Sequence, residues 1–422
     1  MQSLTYCYWT LGLTSIYLAA LFMQKRYRLP LPSVVHSFIW LVTVFLIVCQ
    51  LNGWGVSKTV NDVAFNLSCP FICILMMASM LGFVLAHVTT SRFESESRME
   101  LVDVNSIDYV LAKFKWVPYL CGVVGIILFI FLITTIGSVN TFSDYRVMSI
   151  CVKREGAIAI VQRISGHINI LGSFYLMLLG YKYGQTGMNL KNFLKYVFLC
   201  SIINIGIGGR VWILTSTLPF FSSYLFSRKF SQVDSETNRK DAKKIGLMLV
   251  TAISLFSVLG NLRNDTGKGN FMDSYLYLTD GPRMTNMVLT QYPEGSYDYE
   301  YGKCTLAQYV VKSPMLQRFD QFISGDIGLS VTVKSIMPCL YYDFGFWGGA
   351  VFWGLLCFVL EYIYIQLKYR QSIVNILVMG QLSILLFQTP VGNVFSNYMP
   401  AFIWLIILFL IKDKIFSVPK LD

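Results

Sequence analysis

The sequence predicts an all-α membrane protein that crosses the bilayer about eleven times. Only 14% of its 422 residues are charged, whereas soluble proteins average about 25%. The mean hydropathy is +0.56, and 55% of the residues are hydrophobic. They gather into runs of roughly twenty, long enough for a helix to cross about 30 Å of hydrocarbon. A β-barrel would instead need alternating strands of about ten residues, which the sequence lacks.

The apolar runs can be followed in order along the chain. No basic region precedes the first run and no small-residue cleavage site follows it, so we expect a retained helix and not a signal peptide. Short cytoplasmic loops keep Lys and Arg, and 21 of the 34 basic residues fall in alternate loops, beginning with Lys25, Arg26 and Arg28. The amino terminus is therefore predicted outside and the carboxyl terminus inside. The predicted spans are 4–22, 33–51, 63–88, 117–137, 167–181, 193–208, 211–226, 245–260, 346–366, 373–388 and 398–411.

Three regions follow from this topology. Residues 1–260 hold transmembrane helices one to eight, residues 261–345 form one long outer loop, and residues 346–422 hold helices nine to eleven with a short inner tail. Because the loop is the only sizeable region outside the membrane, function is expected there. We expect the loop to lie on the membrane surface and to roof a cavity between helices.

Two local signals predict helices inside the outer loop. Ser313 followed by Pro314 is typical of an N-cap and a first-turn proline. Asp280, Pro282 and Arg283 predict a second helix start of the same kind. The loop is therefore expected to be partly helical.

Charge and cysteine usage exclude several classes of function. The net charge of +11 comes from residues in short loops between apolar runs, which indicates topology and not a nucleic-acid partner. Membrane lipids are the expected partner instead. The ten cysteines are scattered and form no CxxC or Cys/His cluster, so neither a metal nor another cofactor is expected. Cys304 and Cys339 both fall in the outer loop, and we expect them to be reduced.

A candidate anion site centres on Gly208, Gly209 and Arg210 at the outer end of the sixth span. The glycines remove side-chain bulk, and an arginine guanidinium can meet a phosphate with two parallel hydrogen bonds. Arg263 and Arg283 begin the outer loop and could join Arg210 in clamping a diphosphate without a metal. The alternative is helix packing by small residues beside an interfacial arginine, with the other two as solvated loop charges.

Candidate proton acceptors are few on the outer side. His167 stands at the outer end of the fifth span, and a neutral imidazole can accept a hydroxyl proton near about pH 7. The alternative is an interfacial histidine held by a hydrogen bond. Glu294, Asp326 and Asp343 are acidic candidates, whereas Glu361 lies too near the inner end of its span.

The outer loop also contains a tyrosine-rich segment. Tyr292, Tyr297, Tyr299 and Tyr301 lie within ten residues, together with Asp298. A tyrosine offers an apolar ring to sugar C–H groups, and a carboxylate accepts hydrogen bonds from sugar hydroxyls. The pattern favours glycan binding, although tyrosines are also common at membrane interfaces.

Four motifs occur in order between roughly residues 200 and 366. They are Gly-Gly-Arg at 208–210, Tyr277-Leu-Thr-Asp-Gly-Pro-Arg283, Tyr301-Gly-Lys-Cys-Thr305 and Tyr341-Tyr-Asp-Phe-Gly-Phe-Trp-Gly-Gly349. In this order and topological placement they resemble the bacterial oligosaccharide repeat-unit polymerases of the Wzy type, which build O-antigen and capsule. Leu306 stands where an aromatic residue is expected, so the third motif receives no catalytic role. The fourth is expected to be structural and to re-enter the membrane through Gly345, Gly348 and Gly349.

The resemblance implies a GT-C-like glycosyltransferase of the bacterial inner membrane, with its active site facing the periplasm. It would polymerise undecaprenyl-diphosphate-linked oligosaccharide repeat units without metal or nucleotide sugar, and undecaprenyl diphosphate would leave. Arg210 with Arg263 or Arg283 would stabilise the departing diphosphate, and residues 292–301 would bind the glycan. A chain-length regulator protein is a further partner that such an enzyme allows.

Three other functions stay open. An O-antigen ligase shares the implied fold and donor and differs in its acceptor. A lipid-linked oligosaccharide flippase, a transporter, would need a polar central route and no 85-residue outer loop. An outer-face acyltransferase would lead us to expect a His-Asp or Ser-His pair on one side, and none stands out.

Overall fold

The computed structural model describes most of the chain, and the regular structure in that part is entirely helical, as predicted. The described residues are 2–23, 31–56, 59–94, 102–136, 156–206, 211–231, 235–263, 272, 275–306, 313–318, 335–369, 371–392 and 394–412. The α-helices are α1 (Gln2–Met23), α2 (Pro32–Asn52), α3 (Ser68–Glu94), α4 (Val104–Lys113), α5 (Trp116–Ile136), α6 (Gly156–Thr186), α7 (Leu190–Gly206), α8 (Val211–Phe230), α9 (Ser235–Arg263), α10 (Tyr277–Gln291), α11 (Ile336–Tyr369), α12 (Ile373–Leu385) and α13 (Val394–Leu410). Short 3-10 helices cover Asp62–Ala64 and Leu386–Gln388.

Several helices have the length and composition of membrane spans, in agreement with the predicted helical membrane protein. Within the described ranges, five stretches are long and apolar enough to cross a bilayer: α1, α2, Ser68–Ser91, Val104–Phe131 and α11. Shorter apolar helices cover Ile373–Gln388 and Pro400–Leu410. Each predicted span overlaps one of the helices given above. The number of crossings stays a prediction.

The chain forms two compact units, each assembled from separate stretches of sequence. Unit 1 comprises Met1–Arg98, Asn270–Gln366 and Leu385–Met399. Unit 2 comprises Met99–Gly269, Leu367–Ile384 and Pro400–Asp422. The predicted division after residues 260 and 345 follows membrane topology, and that division stays a prediction.

In unit 1 the start of α1 lies beside the start of α3. The Ser3 hydroxyl donates to the Asp62 carbonyl just before α3, at 3.1 Å. Four residues further along α1, the sulfur of Cys7 lies 3.4 Å from that of Cys69. Two helices separated by one intervening span must run in the same direction, so this parallel pairing is the one that the predicted topology requires.

Helix α11 is broken at Gly345, whose φ of 72° and ψ of −172° are not helical. Its first part, 336–344, begins inside unit 1. There the Ile336 N–H donates to the Thr389 carbonyl at 3.1 Å, and the Thr389 hydroxyl accepts the indole N–H of Trp40 at 2.9 Å. Trp40 lies in the middle of α2. Thr389 therefore supplies hydrogen-bond acceptors to the indole N–H of Trp40 and to the backbone N–H of Ile336 at the level of the middle of that helix. The predicted span begins at residue 346, immediately after the kink. A kink at this place agrees with the structural role expected for the motif Tyr341–Gly349.

Helix α10 packs against the end of α2 and the start of α3 within unit 1. The expected position of this part of the outer loop on the membrane surface stays a prediction. The Thr279 hydroxyl donates to Gln50 of α2 at 2.9 Å, and Asn286 accepts the backbone N–H of Ser68 at 3.2 Å. A Cβ on Gly281 would overlap the carbonyl oxygen of Pro390. The helix begins at Tyr277, slightly before the predicted start, and it holds Pro282 inside its first turns.

The helix start predicted at Ser313 and Pro314 is confirmed. Residues 314–318 are helical, and the Ser313 hydroxyl oxygen accepts the backbone N–H of Leu316 at 3.1 Å. This is the N-cap bond that a serine before a first-turn proline predicts.

In unit 2 the long helices approach one another through small residues. A Cβ on Gly125 of α5 would lie 2.5 Å from the backbone nitrogen of Ile203 in α7, so no other residue allows this approach. The Ser227 hydroxyl of α8 donates to the Tyr181 carbonyl of α6 at 2.7 Å. Close backbone approach with hydrogen bonds between helices is typical of membrane bundles.

A buried carboxylate joins three elements at one end of unit 2. Asp241, which is 1% exposed, accepts hydrogen bonds from the Arg228 guanidinium at 3.0 Å, the Met188 N–H at 3.1 Å and the Tyr224 hydroxyl at 3.2 Å. Lys244 approaches its other oxygen at 3.3 Å. The carboxylate of Asp241 therefore connects the start of α9 with the α6–α7 turn and the end of α8, and its charge is balanced by the basic side chains around it.

The predicted topology can be tested by labelling cysteines with an impermeant thiol reagent in intact spheroplasts. Ser296→Cys should label and Ser235→Cys should not, because the outer loop is predicted outside and the six basic residues of 227–244 inside. Both variants are made in a chain that also carries Cys151→Ser. The free cysteines in the described ranges are buried and should not react, and Cys151 lies outside those ranges. Labelling at Ser235→Cys with none at Ser296→Cys would reverse the orientation.

Candidate functional site

The tyrosine-rich segment packs onto the start of α11 in unit 1. The Tyr297 hydroxyl donates to the Tyr341 carbonyl at 2.8 Å, and the Tyr341 hydroxyl donates to the Tyr292 carbonyl at 2.9 Å. The Tyr297 ring also lies 5.9 Å from that of Tyr342. Burial, together with Tyr341, raises the pKa of the Tyr297 phenol above its ordinary value, so this hydroxyl stays protonated as a donor.

The kink at Gly345 is held by the same segment. The Phe346 N–H, which begins the second part of α11, donates to the carboxylate of Glu294. A carboxylate at a helix N-terminus satisfies a free donor and favours the local dipole. A Cβ on Gly345 would lie 2.7 Å from the Tyr299 hydroxyl oxygen, so the glycine lets Tyr299 approach the kink.

Two of the predicted glycan-binding tyrosines are exposed beside this kink. Tyr299 is 37% exposed and Tyr301 is 78% exposed, and their rings lie 6.3 Å apart. Trp347, just after the kink, is 66% exposed, and Asp298 is exposed as well. We call these four residues, with Glu294, the tyrosine face. Tyr292 and Tyr297 are half-buried, and they support the segment from beneath.

Tyr301 is held outward by an unusual backbone conformation. It is the non-glycine residue with positive φ in the described ranges, at 47°, and Gly302 follows with a φ of 90°. The turn closes through the Lys303 N–H, which donates to the Glu300 carbonyl at 3.2 Å. Left-handed backbone at a non-glycine residue costs free energy, and such residues concentrate at binding sites. This strain is a reason to place Tyr301 in a ligand-binding surface.

A disulfide and a buried carboxylate anchor the tyrosine face. Cys304 and Cys339 form a disulfide with their Cα atoms 4.9 Å apart, so the expectation that both are reduced is wrong. The Asp343 carboxylate accepts the N–H of Cys304 at 3.0 Å and that of Thr305 at 2.6 Å. Asp343 is completely buried. Both oxygens accept hydrogen bonds from the backbone of the segment, so Asp343 has a structural role and is a weaker candidate base than an exposed carboxylate.

Glu300 is a second buried carboxylate in this segment. It is 5% exposed, and one oxygen accepts the Met315 N–H at 2.8 Å. Its other oxygen is buried and has no hydrogen-bond partner among the described residues. The contact with Met315 ties the capped helix 314–318 to the tyrosine-rich segment.

The predicted diphosphate clamp is described only in part. Arg283 lies half-buried in α10, and no salt bridge joins it to an acid within the described ranges. Arg263 is the last residue of α9, but its side chain lies outside the described part. Gly208, Gly209 and Arg210 also lie outside the described residues, as does Asp326. The clamp therefore stays a prediction.

His167 is held by a hydrogen bond, as in the alternative to a role as base. It lies in α6 of unit 2, and its Nδ1 accepts the indole N–H of Trp404 at 3.1 Å. A neutral imidazole with an accepting Nδ1 carries its proton on Nε2. His167 can therefore accept a substrate proton only after it releases Trp404, which makes it a weaker candidate base than Glu294.

A polar cluster that sequence reasoning missed lies among the helices of unit 1. Glu361 is fully buried; its carboxylate accepts the N–H of Ser33 at 3.0 Å and the hydroxyl of Ser33 at 2.7 Å. The Nε2 of His87 lies 3.0 Å from the same carboxylate. The carboxylate thus caps the start of α2 and joins it to α3 and α11. The sequence contained two indications of this cluster, because Glu361 and His87 each lie inside an apolar run. A charged or polar side chain in such a run costs free energy unless it has a partner.

Comparison with protein-family models, with curated proteins and with solved structures finds no match for this chain. A functional assignment therefore depends on the residues, the geometry of the tyrosine face and the motif pattern.

Proposed function

We propose that this protein is an inner-membrane glycosyltransferase that polymerises undecaprenyl-diphosphate-linked oligosaccharide repeat units on the periplasmic face. The proposal includes eleven membrane crossings and a GT-C-like arrangement. The observation that carries it is the tyrosine face, where exposed aromatic rings and carboxylates are held by hydrogen bonds and a disulfide in a segment predicted to lie outside the membrane. Sugars are bound by this combination of flat apolar rings and hydrogen-bond acceptors.

The proposed reaction forms one glycosidic bond and breaks another. The hydroxyl oxygen at the non-reducing end of the acceptor attacks the anomeric carbon of the donor sugar. The bond from that carbon to the diphosphate oxygen breaks, and undecaprenyl diphosphate leaves with the bonding electrons. The acceptor hydroxyl proton passes to a base. Glu294 is the candidate, because one oxygen is held by the Phe346 N–H and the carboxylate is exposed at the tyrosine face.

The leaving diphosphate gains negative charge as the bond breaks. Arg210 with Arg283 or Arg263 is proposed to stabilise it, since a guanidinium offers two parallel donors to a phosphate. An O-antigen ligase would use the same donor chemistry. Mass analysis of lipid-linked glycans in a deletion strain separates the functions. A polymerase predicts accumulated single repeats on lipid, and their absence would contradict it.

The role of the tyrosine face can be tested by removing its two exposed tyrosines. Tyr299→Ala with Tyr301→Ala should shorten or remove the polymer ladder while protein abundance stays normal. A tyrosine at a binding surface contributes about 1 to 2 kcal/mol, which is roughly 5- to 30-fold in binding for each side chain. Tyr6→Ala with Tyr8→Ala is the matched control, since these tyrosines are 39% and 51% exposed on α1. Equal ladders from both double variants would remove the tyrosine face from glycan binding.

A further inference from the structure

A group of lysines and aromatic residues surrounds one end of the helix pair α5 and α7 in unit 2. Lys115 immediately precedes α5, which begins at Trp116, and the Nζ of Lys195 in α7 lies 5.1 Å from the ring centroid of Tyr119. Lys191 is one turn from Lys195 on the same helix. Trp116 and Tyr119 are 52% and 40% exposed. We call these five residues the lysine–aromatic rim.

The two helices start at the same end, so the rim is one continuous feature. A Cβ on Gly122 would contact Leu199 at 3.1 Å, and Gly125 meets Ile203 one turn further along both helices. Positions three apart on α5 therefore face positions four apart on α7 in the same direction, as in a parallel pair. Trp and Tyr at helix ends are typical of the membrane–water interface.

Three acidic side chains of unit 2 form ion pairs with basic residues outside the rim. Asp108 pairs with Lys182 at 2.5 Å, and Glu236 pairs with Lys240 at 2.6 Å. Asp241 is buried in its network with Arg228. Among the described residues, no salt bridge joins an acid to the rim lysines Lys115, Lys191 and Lys195, which are all exposed. The rim therefore presents uncompensated positive charge.

An apolar surface continues directly from the rim along both helices. Val123 and Ile126 of α5 are 54% and 51% exposed, and Phe198 of α7 is 62% exposed. Val123 follows Tyr119 by one turn, and Phe198 follows Lys195 by one turn. Along the helices, positive charge is followed by aromatic rings and then by an apolar surface. A molecule with a negative headgroup and an apolar tail is complementary to this arrangement.

We propose that the lysine–aromatic rim binds the headgroup of an anionic phospholipid, with an acyl chain lying along Val123, Ile126 and Phe198. The lysine ammonium groups meet the lipid phosphate, and Trp116 and Tyr119 lie at headgroup level. Basic side chains at a membrane surface attract anionic lipids. This site is separate from the proposed glycosyltransferase chemistry and does not depend on it.

The test titrates lipid against the purified full chain in a neutral detergent and follows the thermal unfolding midpoint. Phosphatidylglycerol should raise the midpoint, whereas phosphatidylcholine and inorganic phosphate should not. Lys191→Gln with Lys195→Gln should weaken the apparent phosphatidylglycerol affinity by about five-fold for each lysine removed. Lys115→Gln, which removes the rim lysine that lies just before α5, should weaken the phosphatidylglycerol affinity by about five-fold.

Lys303→Gln with Arg318→Gln is the charge-matched control, because both residues are exposed in unit 1. It should leave the phosphatidylglycerol affinity unchanged. Equal affinities for the rim and control variants would overturn the site, and so would equal midpoint shifts from phosphatidylcholine and phosphatidylglycerol. An equal shift from inorganic phosphate would show a simple anion site and overturn the lipid assignment.

Discussion

Replacing Arg210 with alanine is expected to abolish polymer while the amount of protein in the membrane stays near normal. The leaving diphosphate gathers charge as the glycosidic bond breaks, so a group held against it lowers the barrier more than it tightens substrate binding. Losing such a preorganised donor costs about 2.7 to 4 kcal/mol, which is about 100- to 1,000-fold in rate. Polymer ladders at matched membrane levels measure the effect.

Arg210→Lys separates charge from geometry at the same position. Lysine keeps the positive charge and loses the planar two-point contact, so we expect a small residue of activity. Arg283→Ala and Arg263→Ala should have the next largest effects if these side chains complete the clamp. Arg239→Ala is the control, since Arg239 is an exposed arginine of α9 on the predicted inner side. Ladders of wild-type length from Arg210→Ala would return Arg210 to the alternative role of an interfacial arginine.

Removing the disulfide is expected to produce the second large effect, on the stability of the tyrosine face. Cys304 and Cys339 are 35 residues apart, and closing a loop of that length restricts the unfolded chain by about 3 to 4 kcal/mol. Cys304→Ala with Cys339→Ala should therefore lower the unfolding midpoint and shorten the polymer ladder. Non-reducing peptide mapping by mass spectrometry should find the crosslink in the wild-type protein.

The control for this change is Cys49→Ala, which removes a buried free cysteine of α2. It measures the loss of packing alone. A reductant should lower the midpoint of the wild-type protein and leave that of the double variant unchanged. Complete alkylation of Cys304 and Cys339 in the unreduced protein would show that the disulfide is absent.

Local patterns predicted the helices because each of those signals depends only on neighbouring residues. A run of about twenty apolar residues identifies a possible span wherever it lies in the chain. The serine before Pro314 predicted an N-cap bond that the structure contains. The glycines after Phe344 predicted a structural element that re-enters the membrane, and α11 is kinked at the first of them, Gly345. The start of α11 at Ile336 was missed because the short helix 336–344 lies outside the apolar run used to define that span.

The roles of the site residues depend on partners that are distant in sequence. Asp343 was a candidate base from its position alone, and it anchors the backbone of residues 39 and 38 positions away. Tyr292 and Tyr297 were grouped with Tyr299 and Tyr301, but only the latter two are exposed, because α11 covers the others.

By itself, the sequence determined the all-α class, the positions of the apolar helices and the residue types available to the site. Only the tertiary structure decided which polar groups meet. Glu361 and Ser33 are 328 residues apart, and no periodicity in either segment indicates the other. Burying a charge among helices is costly unless a partner is supplied. The partner comes from whichever helix packs alongside, so the pairing is a property of the packing and not of a local pattern.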